Sequence, residues 1–109
     1  MPDIFECPEK SSFNLKLALT DEEGNDLIGV EKIEWWVGRP RQETSIIDKT
    51  EVIAPSYDSV ILIPAEANIC EGQRDEERFI IIRVEAGDHI RHKQFDYVVI
   101  NLGLVPYEG

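Results

Sequence analysis

Cysteine is scarce in this 109-residue sequence, with only Cys7 and Cys70 present. They form no CxxC pair, so the spacing that marks zinc or redox sites is missing. Two free thiols are expected; whether the two could pair depends on a distance that sequence does not give. Long apolar runs are also missing, and none approaches the roughly 20 residues a membrane helix needs. The opening "MPDIFECPEK" carries acids where a secretory signal carries lysines and has no apolar centre, so a cytoplasmic location is expected. Basic residues are few, 11 Lys and Arg against 22 Asp and Glu, for a net charge of -11. Such a chain is poorly suited to nucleic acid, whose phosphates are neutralised by Lys and Arg. The acidity is read as solubility through self-repulsion rather than as a device for recruiting cations or basic partners.

Catalytic motifs are absent as well. There is no GxSxG elbow, HExxH, Walker loop or GxGxxG, and neither cysteine sits in a recognisable arrangement with a basic partner nearby in sequence. No enzyme activity and no cofactor are expected. His89 and His92 stand beside Asp88, but their odd separation sends them to opposite faces of a strand, so a solvated hairpin tip is favoured over a metal site. "HIRHK" and "RPR" form local basic features, read as edge protection by Arg91 and Lys93 rather than as a docking point for an acidic partner. The "DEEGND" stretch gathers Asp21, Glu22, Glu23, Asn25 and Asp26, oxygen donors of the kind calcium takes, without EF-hand spacing. A solvated turn is favoured there, and a calcium-dependent or small-ligand-binding accessory domain is the alternative function.

What the sequence does contain is alternation. "FNLKLALT" places Phe13, Leu15, Leu17 and Leu19 on one face, the mark of a half-buried strand, before the turn formers around Gly24 and Asn25. "KIEWWV" predicts a second strand, broken by Gly38 and Pro40. Residues 44–53 predict a polar edge strand, and "YDSVILIP" a core strand with Ile61 and Ile63 on one face. Pro64 can open a single helical turn. "RFIIIRVEAGDHIRHKQFDYVVINL" predicts a long hairpin around Ala86–His89. About seven short strands, with hardly any helical periodicity and no linker, predict one all-β domain over residues 1–109 built as two packed antiparallel sheets.

The tryptophan-bearing strand, the "SVILIPAEAN" segment and the final hairpin together resemble the C, E, F and G strands of immunoglobulin-like and fibronectin-type sandwiches. That resemblance implies a seven-strand immunoglobulin-like sandwich. No cysteine falls on "FNLKLALT" or "RFIIIRVEA", so the inter-sheet disulfide of antibody domains is missing, and Phe79 stands near the family's corner tyrosine. The span "LTDEEGNDLIGVEKIEWWV", the "IPAEAN" crossing and the hairpin also resemble small immunoglobulin-like structural proteins of tailed phages, which implies a place in a virion or similar assembly.

Trp35 and Trp36 are adjacent, so an extended strand sends them to opposite faces. With Ile33, Trp35 and Val37 inward, Trp36 faces out. Ile80, Ile82 and Val84 inward likewise leave Phe79 and Ile81 outside. A hairpin pairing Ile81 with Phe95 and Phe79 with Tyr97 would add both aromatics, giving an outer patch of Trp36, Phe79, Ile81, Phe95 and Tyr97. That pairing also turns Gln94 and Asp96 inward, and a bulge could shift the parity. Either "GRPRQE", the edge strand or the apolar tail folds over the patch, or it is the partner-binding surface, for another protein or for self-association, since exposed aromatic clusters mark contact surfaces. The apolar tail, with Leu102, Leu104, Val105 and Tyr107, is expected to dock on this domain or a neighbour.

Overall fold

The computed structural model describes residues 5–102. Seven strands occur among them: β1 (Phe5–Pro8), β2 (Phe13–Lys16), β3 (Val30–Gly38), β4 (Ser45–Glu51), β5 (Val60–Ile63), β6 (Glu76–Ala86) and β7 (His89–Ile100). The one helical element among the described residues is a 3-10 turn, Ala65–Asn68, opened by Pro64 as its N-cap. The strands form a five-stranded sheet in the order β1-β7-β6-β3-β4 and a two-stranded sheet of β2 and β5. All pairings are antiparallel except that of β1 with β7.

Alternation decides what lies between the sheets. β3 turns Ile33, Trp35 and Val37 inward, and β6 turns Ile80, Ile82 and Val84 inward; all six are buried. The small sheet answers with Leu17, Ile61 and Ile63, and with Phe13 and Leu15 partly buried against them, so one cluster joins both sheets. Val60 and Leu62, on the other face of β5, are exposed. The β2–β5 ladder runs past its named strands, because Leu17 and Leu19 donate backbone hydrogen bonds to Ser59 and Tyr57.

The hairpin of β6 and β7 closes on a two-residue turn, Gly87–Asp88, with Ala86 opposite His89. Gly87 has φ +61°, the conformation that glycine supplies at the first central position of such a turn. This turn fixes the register, which differs by one residue from the expected pairing. Ile81 lies opposite Gln94, Phe79 opposite Asp96, Ile80 opposite Phe95 and Arg78 opposite Tyr97. β1, a strand the alternation pattern did not predict, pairs only with Tyr97–Ile100 of β7. The stretch His89–Asp96 is therefore an open edge among the described residues, and Arg91 and Lys93 stand on it.

Candidate functional site

The outer face of the five-stranded sheet is banded. At one end Lys32 and Glu34 form an ion pair of 3.5 Å, and Arg83 reaches Glu34 at 3.2 Å and also pairs with Glu85. The bond from Arg83 holds the Glu85 carboxyl below its ordinary value. In the middle Trp36 sits opposite Ile81 on the neighbouring strand, with the Lys49 ammonium 5.8 Å from its ring centre. Two register positions on, Gly38 faces Phe79, and a methyl group at Gly38 would lie 2.8 Å from the tip of the Phe79 ring. The ring thus covers the strand where glycine leaves space, a recognised way of stabilising a glycine in a sheet. Beyond Phe79 a groove of about 520 Å³ runs between Pro40, Gln94, Asp96 and Val98.

Three of the five residues expected on this face are there. Trp36, Phe79 and Ile81 are neighbours and half-buried. Phe95 and Tyr97 are not: the Gly87–Asp88 turn rotates both to the inner side, and Gln94 and Asp96 take the outer positions. Phe95 joins Phe5, Phe13 and Tyr97 in an aromatic cluster with centroid separations of 4.8 to 6.4 Å. Tyr97 is 1% exposed. The apolar tail expected to dock, residues 103–109, lies outside the described residues, and Leu102 is exposed.

The inner side of the same end holds a polar network that alternation alone did not flag. Arg78 is fully buried; its Nε donates to the Ala67 carbonyl at 3.1 Å, and Nη2 donates to the Ile69 carbonyl and to Glu76 Oε1. Tyr97 donates to Asn68 Oδ1 at 2.7 Å, and Asn68 Nδ2 donates to the Ser11 carbonyl at 2.7 Å. Among the described residues no buried side-chain nitrogen or oxygen lacks a hydrogen-bond partner. Burial pushes the Glu76 carboxyl up, but the bonds from Arg78 and from the backbone N–H groups of Glu71 and Gly72 more than reverse it, leaving a net lowering. Burial drives the Tyr97 phenol well above its ordinary range.

The remaining candidates carry little chemistry. Cys7 is buried, Cys70 half-buried, and both are free. Burial raises each thiol, with the charges of Glu76 and Glu9 adding to the rise at Cys70, so neither is activated as a thiolate. In "DEEGND", Asp21 Oδ1 accepts the backbone N–H groups of Glu23 and Asn25 at 2.9 and 3.0 Å, so that oxygen closes the turn. Among the described residues no group of three or more His, Cys, Asp or Glu is placed to hold a metal, and no helix is long and apolar enough to cross a membrane. No protein-family model matches the chain, and neither the curated proteins nor the solved structures contain a match to it.

Proposed function

We propose that this chain is a non-enzymatic, immunoglobulin-like contact module that associates with a second copy of itself through the outer face of the five-stranded sheet. The observation that carries the reading is the gathering of Trp36, Phe79 and Ile81, half-exposed, on a face where Lys32, Glu34, Arg83 and Glu85 at one end pair with one another. Two copies of a chain at -11 repel one another at long range, so a self-contact needs a locally neutral surface, and the Lys32–Glu34–Arg83–Glu85 group supplies one. The size also suits. Five strands of 4 to 12 residues, about 4.8 Å apart and rising about 3.3 Å per residue, present about 700 Å², close to the roughly 800 Å² per partner of a standard interface.

The immunoglobulin-like part of the proposal is supported by the sheet partition. β3, β6 and β7 are neighbours in one sheet and β5 lies in the other, as the C, F, G and E strands do, with an inward Trp35 on the C-like strand. At the start of the F-like strand Arg78, two residues before inward Ile80, bonds back to the backbone at Ala67 and Ile69. That is the work of the family's corner tyrosine, done by the residue beside Phe79. A small self-associating sandwich suits a repeating particle, and the proposed setting is a tailed-phage or similar assembly.

Trp36 fluorescence tests the reading. In a Trp35→Phe chain, quenching of Trp36 by neutral acrylamide should weaken as protein concentration rises, because the partner's face covers the ring. Equal quenching at every concentration would sink the self-association.

A further inference from the structure

We propose that the chain carries an oxyanion-binding cleft, adjoining the contact face at Pro40 and Glu77, in which Arg41 and Arg74 grip a single carboxylate or phosphate group. The chain has six arginines, and four of them, Arg39, Arg41, Arg74 and Arg78, line one open cleft of about 500 Å³. In a chain with twice as many acids as bases this is a strong local concentration of guanidinium groups, the side chain best shaped for bidentate recognition of carboxylate and phosphate.

The carboxylates that share the cleft are mostly committed. Glu76 takes Arg78 on one oxygen and the N–H groups of Glu71 and Gly72 on the other. Glu71 pairs with Arg39 at 3.3 Å, and Asp75 accepts the Asn101 N–H at 2.8 Å. These acids fasten the loop at residues 71–75 and hold Arg39 and Arg78 in place. Arg41 and Arg74, by contrast, are exposed and have no ion pair or hydrogen bond to any of the described residues. Glu77 is the one lining carboxylate with no side-chain partner among the described residues, so two charged forks stand over a cleft with a single uncommitted anion of its own.

Arg41 also occupies a costly position. Residues 39–42 form a turn closed by the Gln42 N–H on the Arg39 carbonyl at 3.3 Å, with Pro40 second and Arg41 third at φ +63°. Proline second and a positive φ third describe a type II turn, whose third residue is ordinarily glycine. A large side chain persists here against its backbone preference, as happens where a side chain is needed at a site.

The net charge limits the ligand. At -11 the chain repels polyanions at long range, so nucleic acid and strongly acidic proteins are poor candidates. What remains is a compact oxyanion recognised by short-range geometry. The test is a nuclear magnetic resonance titration of the full chain, following backbone and arginine side-chain N–H signals, with inorganic phosphate in one arm and glutarate in the other at constant ionic strength. Saturable shifts centred on Arg41 and Arg74 are expected, with a Kd of about 1 mM for the better ligand. The tighter arm identifies the source as phosphate or carboxylate. Arg41→Gly, which suits the turn, and Arg74→Gln should each weaken binding at least about tenfold, a loss of about 1.4 kcal/mol, without lowering the Tm. Shifts that fail to saturate, that are as large at Arg83 and Arg91, or that survive both substitutions would overturn the proposal.

Discussion

Arg78 ties one end of the molecule together from a buried position. Its guanidinium satisfies the Ala67 and Ile69 carbonyls and the Glu76 carboxylate, tying β6 to the 3-10 turn and the loop after it. Arg78→Ala breaks this buried pair and should cost about 3–5 kcal/mol, read as a lower urea midpoint. Tyr97→Phe removes the donor to Asn68 Oδ1 and should cost about 1–3 kcal/mol by the same assay. Glu76 gives the pair a pH signature. Its folded-state carboxyl is lowered, so its stabilising contribution is complete above the unfolded value near about 4.3 and is lost as pH falls through the lower folded value. Acid melts of the wild type should therefore fall more steeply below about pH 4.3 than those of Glu76→Gln. Ala54 offers the opposite case. At φ +52° it has the backbone of a glycine, and Ala54→Gly should raise stability by about 1 kcal/mol with an unchanged urea slope.

At the scale of elements, the paired strands explain why Gly38 is not replaceable by a good strand former. Valine there would ordinarily favour a strand, but its Cβ meets the Phe79 ring. Gly38→Val should destabilise the wild type and become neutral or favourable in a Phe79→Ala background, a coupling that a double-mutant cycle measures directly. The same alternation explains which parts of the fold were legible in the sequence. The inward sets Ile33, Trp35, Val37 and Ile80, Ile82, Val84 followed from period two, as did β5, while the edge position of β4 followed from its polarity and the turn after Pro64 from proline's fit at a helix start. The hairpin register did not, since a slip of one residue reverses every side chain of β7. A signal was present all the same: the expected pairing buried Gln94 and Asp96, and the true one turns them to solvent. Arg78 was hidden differently. It continues the inward parity of Ile80 by two residues, but an arginine is discounted as an inner residue unless its acceptors are known, and these are backbone carbonyls of another segment. β1 was hidden because four residues ending in proline carry too little alternation to mark a strand.

At the scale of the whole molecule, the chain is long in one direction, 48 × 30 × 26 Å, because β6 and β7 are much longer than the strands of the small sheet that covers them. The result is a sheet with one face largely occupied by the core and the other presented outward with Trp36 near its middle. Trp35 and Trp36, adjacent in sequence, thereby divide into a core residue and a surface residue. Trp35→Ala should cost about 3–5 kcal/mol, whereas Trp36→Arg should change monomer stability by no more than about 1 kcal/mol. Association through the outer face should strengthen as salt is raised to about 0.15 M, because screening relieves the repulsion between two chains of charge -11.

The most direct measurement is light scattering on a size-exclusion column over a concentration series at that salt, wild type beside Trp36→Arg. The account predicts a wild-type mass that climbs from 12.5 kDa toward twice that value, and a variant that stays at 12.5 kDa throughout. A wild type that holds the single-chain mass at every concentration, or a variant that associates equally well, would contradict it.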